Sequence, residues 1–105
     1  MPKAERGEIW LVDMGMAANT RPVAIINILF RDDERAVFAI IPHATALRGG
    51  RFEVKINLPW SQPGAFDVQG LQKVPGTVFL RRLSMLDPSQ LNAIIQTVKV
   101  WLGAV

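Results

Sequence analysis

The stretch DPSQLNAIIQTVKVWLG, residues 87–103, marks the point where the apolar pattern of this chain changes from strand to helix. Asp87 stands as an N-cap, Pro88 at the first helical position and Gln90 at the third, which is a capping-box arrangement. Apolar residues then recur with helical spacing on one face: Leu91, Ile94, Ile95, Val98, Trp101 and Leu102. With a glycine just beyond them, they predict an amphipathic helix at this end of the sequence.

Upstream of this helix, the apolar residues are spaced as short strands. We predict strands around 9–13, 21–30, 36–41, 51–57 and 65–68, and another within 73–83. Five or six strands and one helix predict a mainly β fold, in which the helix lies on a small, bent antiparallel sheet or partly open barrel. The pattern alone leaves an SH3-like barrel, an OB-fold and an α+β roll open.

Composition limits the class of protein. The 105 residues, half of them hydrophobic, fit a single domain spanning 1–105. The net charge of +3 hints only mildly at an anionic partner, and one histidine with no cysteine argues against a zinc site, so we expect no cofactor. We read no signal peptide, and the longest aliphatic run, 23–30, is too short to cross a bilayer. The absence of cysteine fits a reducing compartment, and we expect a cytoplasmic protein.

Arg21 stands at the head of an aliphatic run, in NTRPVAIINI at 19–28. A guanidinium that enters a core strand is costly to bury without a partner. It must therefore lie at the rim of the barrel, pair with a carboxylate, or face a ligand. The rim and the ion pair are the more ordinary alternatives, because most arginines on strands are exposed.

A second candidate group lies in PHATAL, residues 42–47. His43 and Thr45 are two residues apart, so in an extended chain they would point to the same face. Beside an arginine, a hydroxyl and an imidazole would suit phosphodiester cleavage, with the imidazole as a proton carrier. The alternative is a turn after a strand, with Thr45 bonding its own backbone and His43 merely exposed.

Four segments, in order along the chain, resemble the MazF/PemK family of toxin endoribonucleases. They are RGEIWLVDMG at 6–15, RPVAIIN at 21–27, IIPHATALRGGRFEV at 40–54 and LRRLSMLDPSQLNAIIQTVKVWL at 80–102. The resemblance implies a small SH3-like barrel that forms a homodimer, cleaves single-stranded RNA without a metal, and is inhibited by a cognate antitoxin protein. The antitoxin would place a disordered, acidic segment in the same groove as RNA.

The same resemblance assigns the site residues. It implies that Arg21 and Thr45 are the catalytic pair, and His43 would share the proton transfer because a guanidinium is a poor base. The family's acidic and basic cluster before the last strand is represented here by FDVQGLQKVPG, residues 66–76, without its later acid. We predict RNA-binding roles for Arg48, Lys73 and Gln69.

Two other functions stay open on the sequence. The barrel could be a non-catalytic toxin that acts on a protein target, as in the related gyrase-poison (CcdB-like) toxins, or it could bind RNA without cutting it. The other open function, the third hypothesis after the nuclease and the non-catalytic binder, is a plain interaction module. Trp10 and Trp101 are interpreted as core or dimer-interface residues.

Overall fold

The computed structural model describes residues 3–15 and 19–104, which form seven strands and one α-helix. The strands are β1 Glu8–Asp13, β2 Thr20–Ile25, β3 Val37–Ala44, β4 Glu53–Lys55, β5 Ala65–Asp67, β6 Gln72–Pro75 and β7 Phe79–Met85. The helix is α1 Pro88–Leu102, and short 3-10 turns span Val68–Gly70 and Gly76–Val78. The predicted fold class, mainly β with a C-terminal helix, is confirmed.

All of the strand pairs are antiparallel, and β3 is the central strand of the sheet. The order is β4-β5-β3-β2-β1-β7, and β6 also pairs with β3. One edge of β3 therefore meets β2, while its other edge meets β6 along the first half and β5 at the end. This change of partner bends the sheet around β3.

The two faces of the central strands bury two separate apolar clusters. Phe38 and Ile40 of β3 belong to one cluster, whereas Ile41 belongs to the other, as the alternation of a strand requires. The helix covers the second cluster with Ile94 and Val98. Because both faces are covered, β2 and β3 read as continuous apolar runs in the sequence.

The helix has the ends that the sequence predicts. The Asp87 carboxylate accepts the Gln90 backbone N–H at 2.8 Å, and the Gln90 side chain accepts the Asp87 N–H at 3.0 Å. At the other end Gly103 adopts φ +71°, a left-handed conformation that glycine takes at little cost. The last turn extends past the core, since Leu102 is exposed.

Strand β2 is shorter than the predicted strand at 21–30. It ends at Ile25, and the side chain of Asn27 then replaces a backbone carbonyl as the acceptor for the Ala39 N–H, at 3.1 Å. The chain leaves the sheet there, so Ile28 and Leu29 are 75% and 79% exposed. The prediction to residue 30, which rested on apolar composition alone, is therefore wrong beyond Ile25.

Two other boundaries also differ from the prediction. Strand β3 continues to Ala44, three residues past the predicted end, because β5 offers His43 and Ala44 a new pairing edge. The segment at 73–83 contains two strands, β6 and β7, separated by the turn at Gly76–Val78. The predicted short strand at 65–68 is found as β5.

A partly buried ion pair joins β1 to β7. Glu8 Oε2 lies 2.7 Å from Arg82 Nε, and its other oxygen accepts Trp10 Nε1–H at 3.1 Å and the Glu5 N–H at 2.8 Å. Burial raises the pKa of Glu8, but the hydrogen bonds from Trp10, Glu5 and Arg82 outweigh it and leave the pKa below the ordinary value of 4.5. Trp10 is thus fixed against the core, with its ring 5.5 Å from that of Phe79.

This ion pair predicts a loss of stability in acid. Because the pKa of Glu8 is lower in the folded chain, its stabilisation is complete above the unfolded value and is lost as the pH falls through the folded value. We expect Glu8→Gln to lower the free energy of unfolding at pH 7 by about 1–3 kcal/mol and to flatten its decline in acid. Urea titrations from pH 7 to pH 3 measure both effects. The exposed Asp32→Asn is the control, and an unchanged acid profile in Glu8→Gln would contradict the prediction.

Candidate functional site

A groove lies where the start of β2 and the end of β3 no longer pair with each other. Its volume is about 440 Å³, and we call it the β2–β3 groove. The residues that line it come from β2, the end of β3 and three later segments: Arg21, Pro22, His43, Ala44, Thr45, Ala46, Arg48, Glu53, Ser61 and Asp67. The structure therefore brings together four of the six residues that the sequence singled out.

Two prolines mark the place where this groove opens. The ladder between β2 and β3 has its last pair at Val23 and Pro42, next to Pro22. A proline has no N–H to donate, so neither Pro22 nor Pro42 can supply a further bond in this ladder. Beyond this point β2 pairs only with β1, and β3 pairs only with β5. A gap is therefore left between β2 and β3.

Arg21 lies on the β2 side of this gap. It is half-buried, and it faces Val12 in the ladder with β1. The ion pairs among residues 3–15 and 19–104 are Arg31 with Asp33 and Glu8 with Arg82, so Arg21 belongs to neither. Of the three alternatives for this guanidinium (the rim, a carboxylate partner or a ligand), the ion pair is not observed among the described residues, and Arg21 lines the β2–β3 groove.

Thr45 borders the same groove from the β3 side. It is exposed and is the first residue after the strand, which ends at Ala44. His43 and Thr45 both line the groove, although the strand ends between them at Ala44 and the chain bends at Thr45. Thr45 is open to solvent, whereas His43 is buried with 4% of its surface exposed.

His43 is held firmly at the base of the groove. Its Nε2 lies 2.8 Å from the Ile56 carbonyl oxygen, which can only accept, so Nε2 carries the proton. The ring also meets Phe66 edge-on, with centroids 4.9 Å apart. In the neutral ring, Nδ1 is then the nitrogen with a free lone pair.

Glu53 shapes the loop that carries Arg48 into the groove. Its carboxylate accepts the Arg48 N–H at 2.9 Å and the Gly49 N–H at 2.7 Å, one on each oxygen. The bond from the Arg48 N–H is the main reason that the pKa of Glu53 is lowered, and those from Gly49 and Gly50 add to it. Both oxygens of this carboxylate are therefore engaged by the loop.

A second cavity, of about 320 Å³, adjoins the groove, and we call it the side cavity. It shares three residues with the groove, namely Arg48, Glu53 and Asp67. Its own lining residues are Gly50, Phe52 and Gln69. Gln69 thus lines a cavity next to the groove.

Lys73 is the one predicted RNA-binding residue that the structure places elsewhere. It is exposed on β6 and pairs with Ala39, toward the start of β3, whereas the groove lies at the end of that strand. At about 3.3 Å per residue, the five positions from Ala39 to Ala44 separate them by roughly 16 Å. Lys73 lines neither the groove nor the side cavity.

Three groove residues with polar or charged side chains, Glu53, Ser61 and Asp67, were not among the predicted site residues. Glu53 could have been found from the sequence. Polar and apolar residues alternate along 51–57, and Glu53 is one of the polar residues, which predicts that it lies on the solvent-facing side of its strand. Asp67 stood in the segment that represents the family's acidic cluster, but its side chain was given no role. Ser61 follows a turn-rich stretch and carries no signal in the sequence.

Two negative findings apply to residues 3–15 and 19–104. No group of histidine, cysteine or carboxylate side chains among them is arranged to hold a metal ion. No helix in this part of the chain has the length and apolar character needed to span a membrane.

The bonds of Glu53 predict a local effect of its substitution. In Glu53→Gln, an amide NH2 would face one of the two loop N–H groups, so at least one bond to Arg48 or Gly49 is lost. We expect faster hydrogen exchange at these two amides with little change in α1. Glu34→Gln is the matched control, since Glu34 accepts the Arg31 N–H at 2.7 Å on an exposed loop. Unchanged exchange at Arg48 and Gly49 would contradict this role.

Gly64 is packed too tightly against the groove to accept a side chain. An added Cβ would overlap the Ala44 carbonyl oxygen and lie 2.7 Å from His43 Cε1. We expect Gly64→Ala to destabilise the fold by about 1–3 kcal/mol, because backbone at the end of β3 must move. The urea midpoint measures this, and Gly50→Ala, with open space around it, is the control. Equal midpoints for the two variants would refute the prediction.

Comparison with known proteins supports the architecture. No family model matches the sequence, and a search of curated proteins finds no significant relative. Solved structures do match. An endoribonuclease from a mycobacterial species, in complex with its cognate antitoxin, has TM-score 0.81 and 18% identity, with 97% of each chain covered.

Two further matches have similar scores. The Mycobacterium tuberculosis toxin MazF-mt6 has TM-score 0.74 and 22% identity over 91% of this chain and 96% of its own. MazF from Deinococcus radiodurans has TM-score 0.77 and 15% identity over 95% and 96%. At these identities the likeness concerns the fold, and this chain has the fold seen in MazF toxins over nearly its whole length.

Proposed function

We propose that this protein is a MazF/PemK-type toxin, an endoribonuclease that cleaves single-stranded RNA at selected sequences without a metal ion. The observation that carries the proposal is the convergence of Arg21 and Thr45 on one open groove. The two residues lie 24 positions apart, Arg21 on β2 and Thr45 in the loop that follows β3. Nothing in the local pattern requires them to meet, and a cation beside a hydroxyl in an accessible groove suits a phosphodiester.

The chemistry is attack of a ribose 2′-hydroxyl on the adjacent phosphorus. The 2′-oxygen forms a bond to phosphorus, the bond from phosphorus to the 5′-oxygen breaks, and the products are a 2′,3′-cyclic phosphate and a 5′-hydroxyl. Arg21 stabilises the charge that develops on the phosphoryl oxygens, and Thr45 donates a hydrogen bond to a non-bridging oxygen. Arg21 has the planar donor fork that matches a phosphate.

Proton transfer needs a group that can accept a proton and release it again. Arg21 remains protonated, so it serves poorly as a base. His43 is the better candidate by chemistry, and it acts through Nδ1 because Nε2 donates to the Ile56 carbonyl. Its burial means that RNA must approach the base of the groove for this transfer to take place.

The partners follow from the same proposal. The protein acts in the cytoplasm on single-stranded RNA, forms a homodimer, and is neutralised by a cognate antitoxin. One structural match is an endoribonuclease in complex with its cognate antitoxin, and another comes from a MazE-MazF complex. An acidic antitoxin segment would suit a groove that contains Arg21 and Arg48.

The test is cleavage of a mixed RNA substrate in EDTA. We expect the wild type to cut, and we expect Arg21→Ala and Thr45→Ala each to lower the rate by roughly 100- to 1000-fold, the usual cost of one transition-state donor. Arg35→Ala and Thr77→Ala remove the same groups at exposed positions outside the groove and should cut normally.

Three outcomes would overturn the proposal. Cleavage that EDTA abolishes would contradict metal independence, and unchanged cleavage in either groove variant would contradict the site. Intact RNA together with growth arrest and broken DNA would indicate a gyrase-poison toxin instead.

A further inference from the structure

The side cavity provides a way for the groove to select bases. It joins the β2–β3 groove through Arg48, Glu53 and Asp67, so a chain bound across Arg21 and Thr45 can place its neighbouring nucleotide there. We propose that the side cavity is a nucleobase subsite that favours guanine over uracil at one position beside the scissile linkage. This inference rests on the proposed function.

An aromatic ring forms part of the wall of this cavity. Phe52 is half-buried and lines the cavity. Its ring has two neighbours, the Arg51 guanidinium at 4.5 Å from the ring centroid and the Trp101 ring at 6.4 Å. An aromatic side chain held in this manner is a surface on which a base can stack, whatever its identity.

The two carboxylates of the cavity, Glu53 and Asp67, differ in how many of their oxygens already accept a hydrogen bond. Glu53 uses one oxygen for the Arg48 N–H and the other for the Gly49 N–H. Asp67 uses only Oδ1, which accepts the Gln69 N–H at 3.2 Å. Among the described residues, no hydrogen bond to Asp67 Oδ2 is observed. Asp67 is therefore the carboxylate with acceptor capacity for a ligand.

A carboxylate that only accepts hydrogen bonds distinguishes the bases by their donors. Guanine presents N1–H and N2–H side by side, which matches Oδ2 of Asp67 together with the second lone pair of Oδ1. Uracil presents a single N3–H between two carbonyl oxygens, and these oxygens are repelled by the negative charge. The amide of Gln69, at the same cavity, can in turn donate to guanine O6.

Arg48 makes the negative charge of this subsite compatible with RNA. It lines both the groove and the side cavity, so it stands at the junction that the phosphate between the two nucleotides would cross. A cation at the junction offsets the repulsion between that phosphate and the carboxylates. The subsite thus pairs a phosphate contact with a base contact, and only the base contact carries sequence information.

The experiment compares cleavage sites in a random RNA pool for the wild type and Asp67→Asn, by sequencing the new 5′ ends. We expect the wild type to prefer guanine to uracil by about 5- to 150-fold at one flanking position, the range for one bidentate pair. Asp67→Asn keeps an acceptor and gains an NH2 that can donate to uracil, so the ratio should fall toward one at that position alone.

The matched control is Asp13→Asn. Asp13 Oδ1 accepts the Gly15 N–H two residues ahead, at 2.9 Å, just as Asp67 does with Gln69, but Asp13 lines neither cavity. The Asp13→Asn variant should therefore show the same preference for guanine over uracil as the wild type. An unchanged ratio in Asp67→Asn, or an equal shift at every position, would overturn the subsite.

A binding assay separates failure of the subsite from failure of the enzyme. If the wild type cuts no RNA, the nuclease proposal fails, and labelled UUGUU and UUUUU pentamers then test the subsite by fluorescence anisotropy. Tighter binding of UUGUU that Asp67→Asn removes supports the subsite. Equal binding of the two pentamers to the wild type contradicts it.

Discussion

The change of partners along β3 is the constraint on which the rest of the structure depends. The strand pairs with β2 only as far as Pro42, while its other edge pairs with β5 for two more residues. The start of β2 and the end of β3 are therefore not paired with each other, and the groove opens between them. The change of partners also carries Thr45 out of the sheet and leaves His43 beneath it, buried against Phe66.

The groove combines cations with carboxylates, which is unusual for a surface proposed to bind a polyanion. The structure shows how the negative charges are contained. Glu53 is satisfied by the backbone N–H groups of the loop that it shapes, and its role is to hold that loop. Asp67 accepts a single N–H, so it is the acidic group left to interact with a ligand. Arg21 and Arg48 line the same groove and belong to neither of the ion pairs found among the described residues.

Local signals predicted the parts of the fold that depend on local bonds. The helix followed from Asp87, Pro88 and Gln90 because a capping box is formed by residues three positions apart. Strand ends were predicted less well, since they depend on distant partners. Strand β2 ends early because the Asn27 side chain bonds to Ala39, and β3 runs on because β5 lies beside it. Neither partner can be identified from neighbouring residues.

The sequence by itself determined the residue types at the groove: a guanidinium before an aliphatic strand, a hydroxyl after another, and a histidine beside it. It also determined the succession of short strands and the final helix, because alternation and capping are properties of neighbours. Only the tertiary structure decided that Arg21, Thr45 and Arg48 share one groove, that Lys73 lies apart, and that His43 is buried. Those outcomes depend on which strands pair and where each ladder stops, and such contacts join residues far apart in the chain.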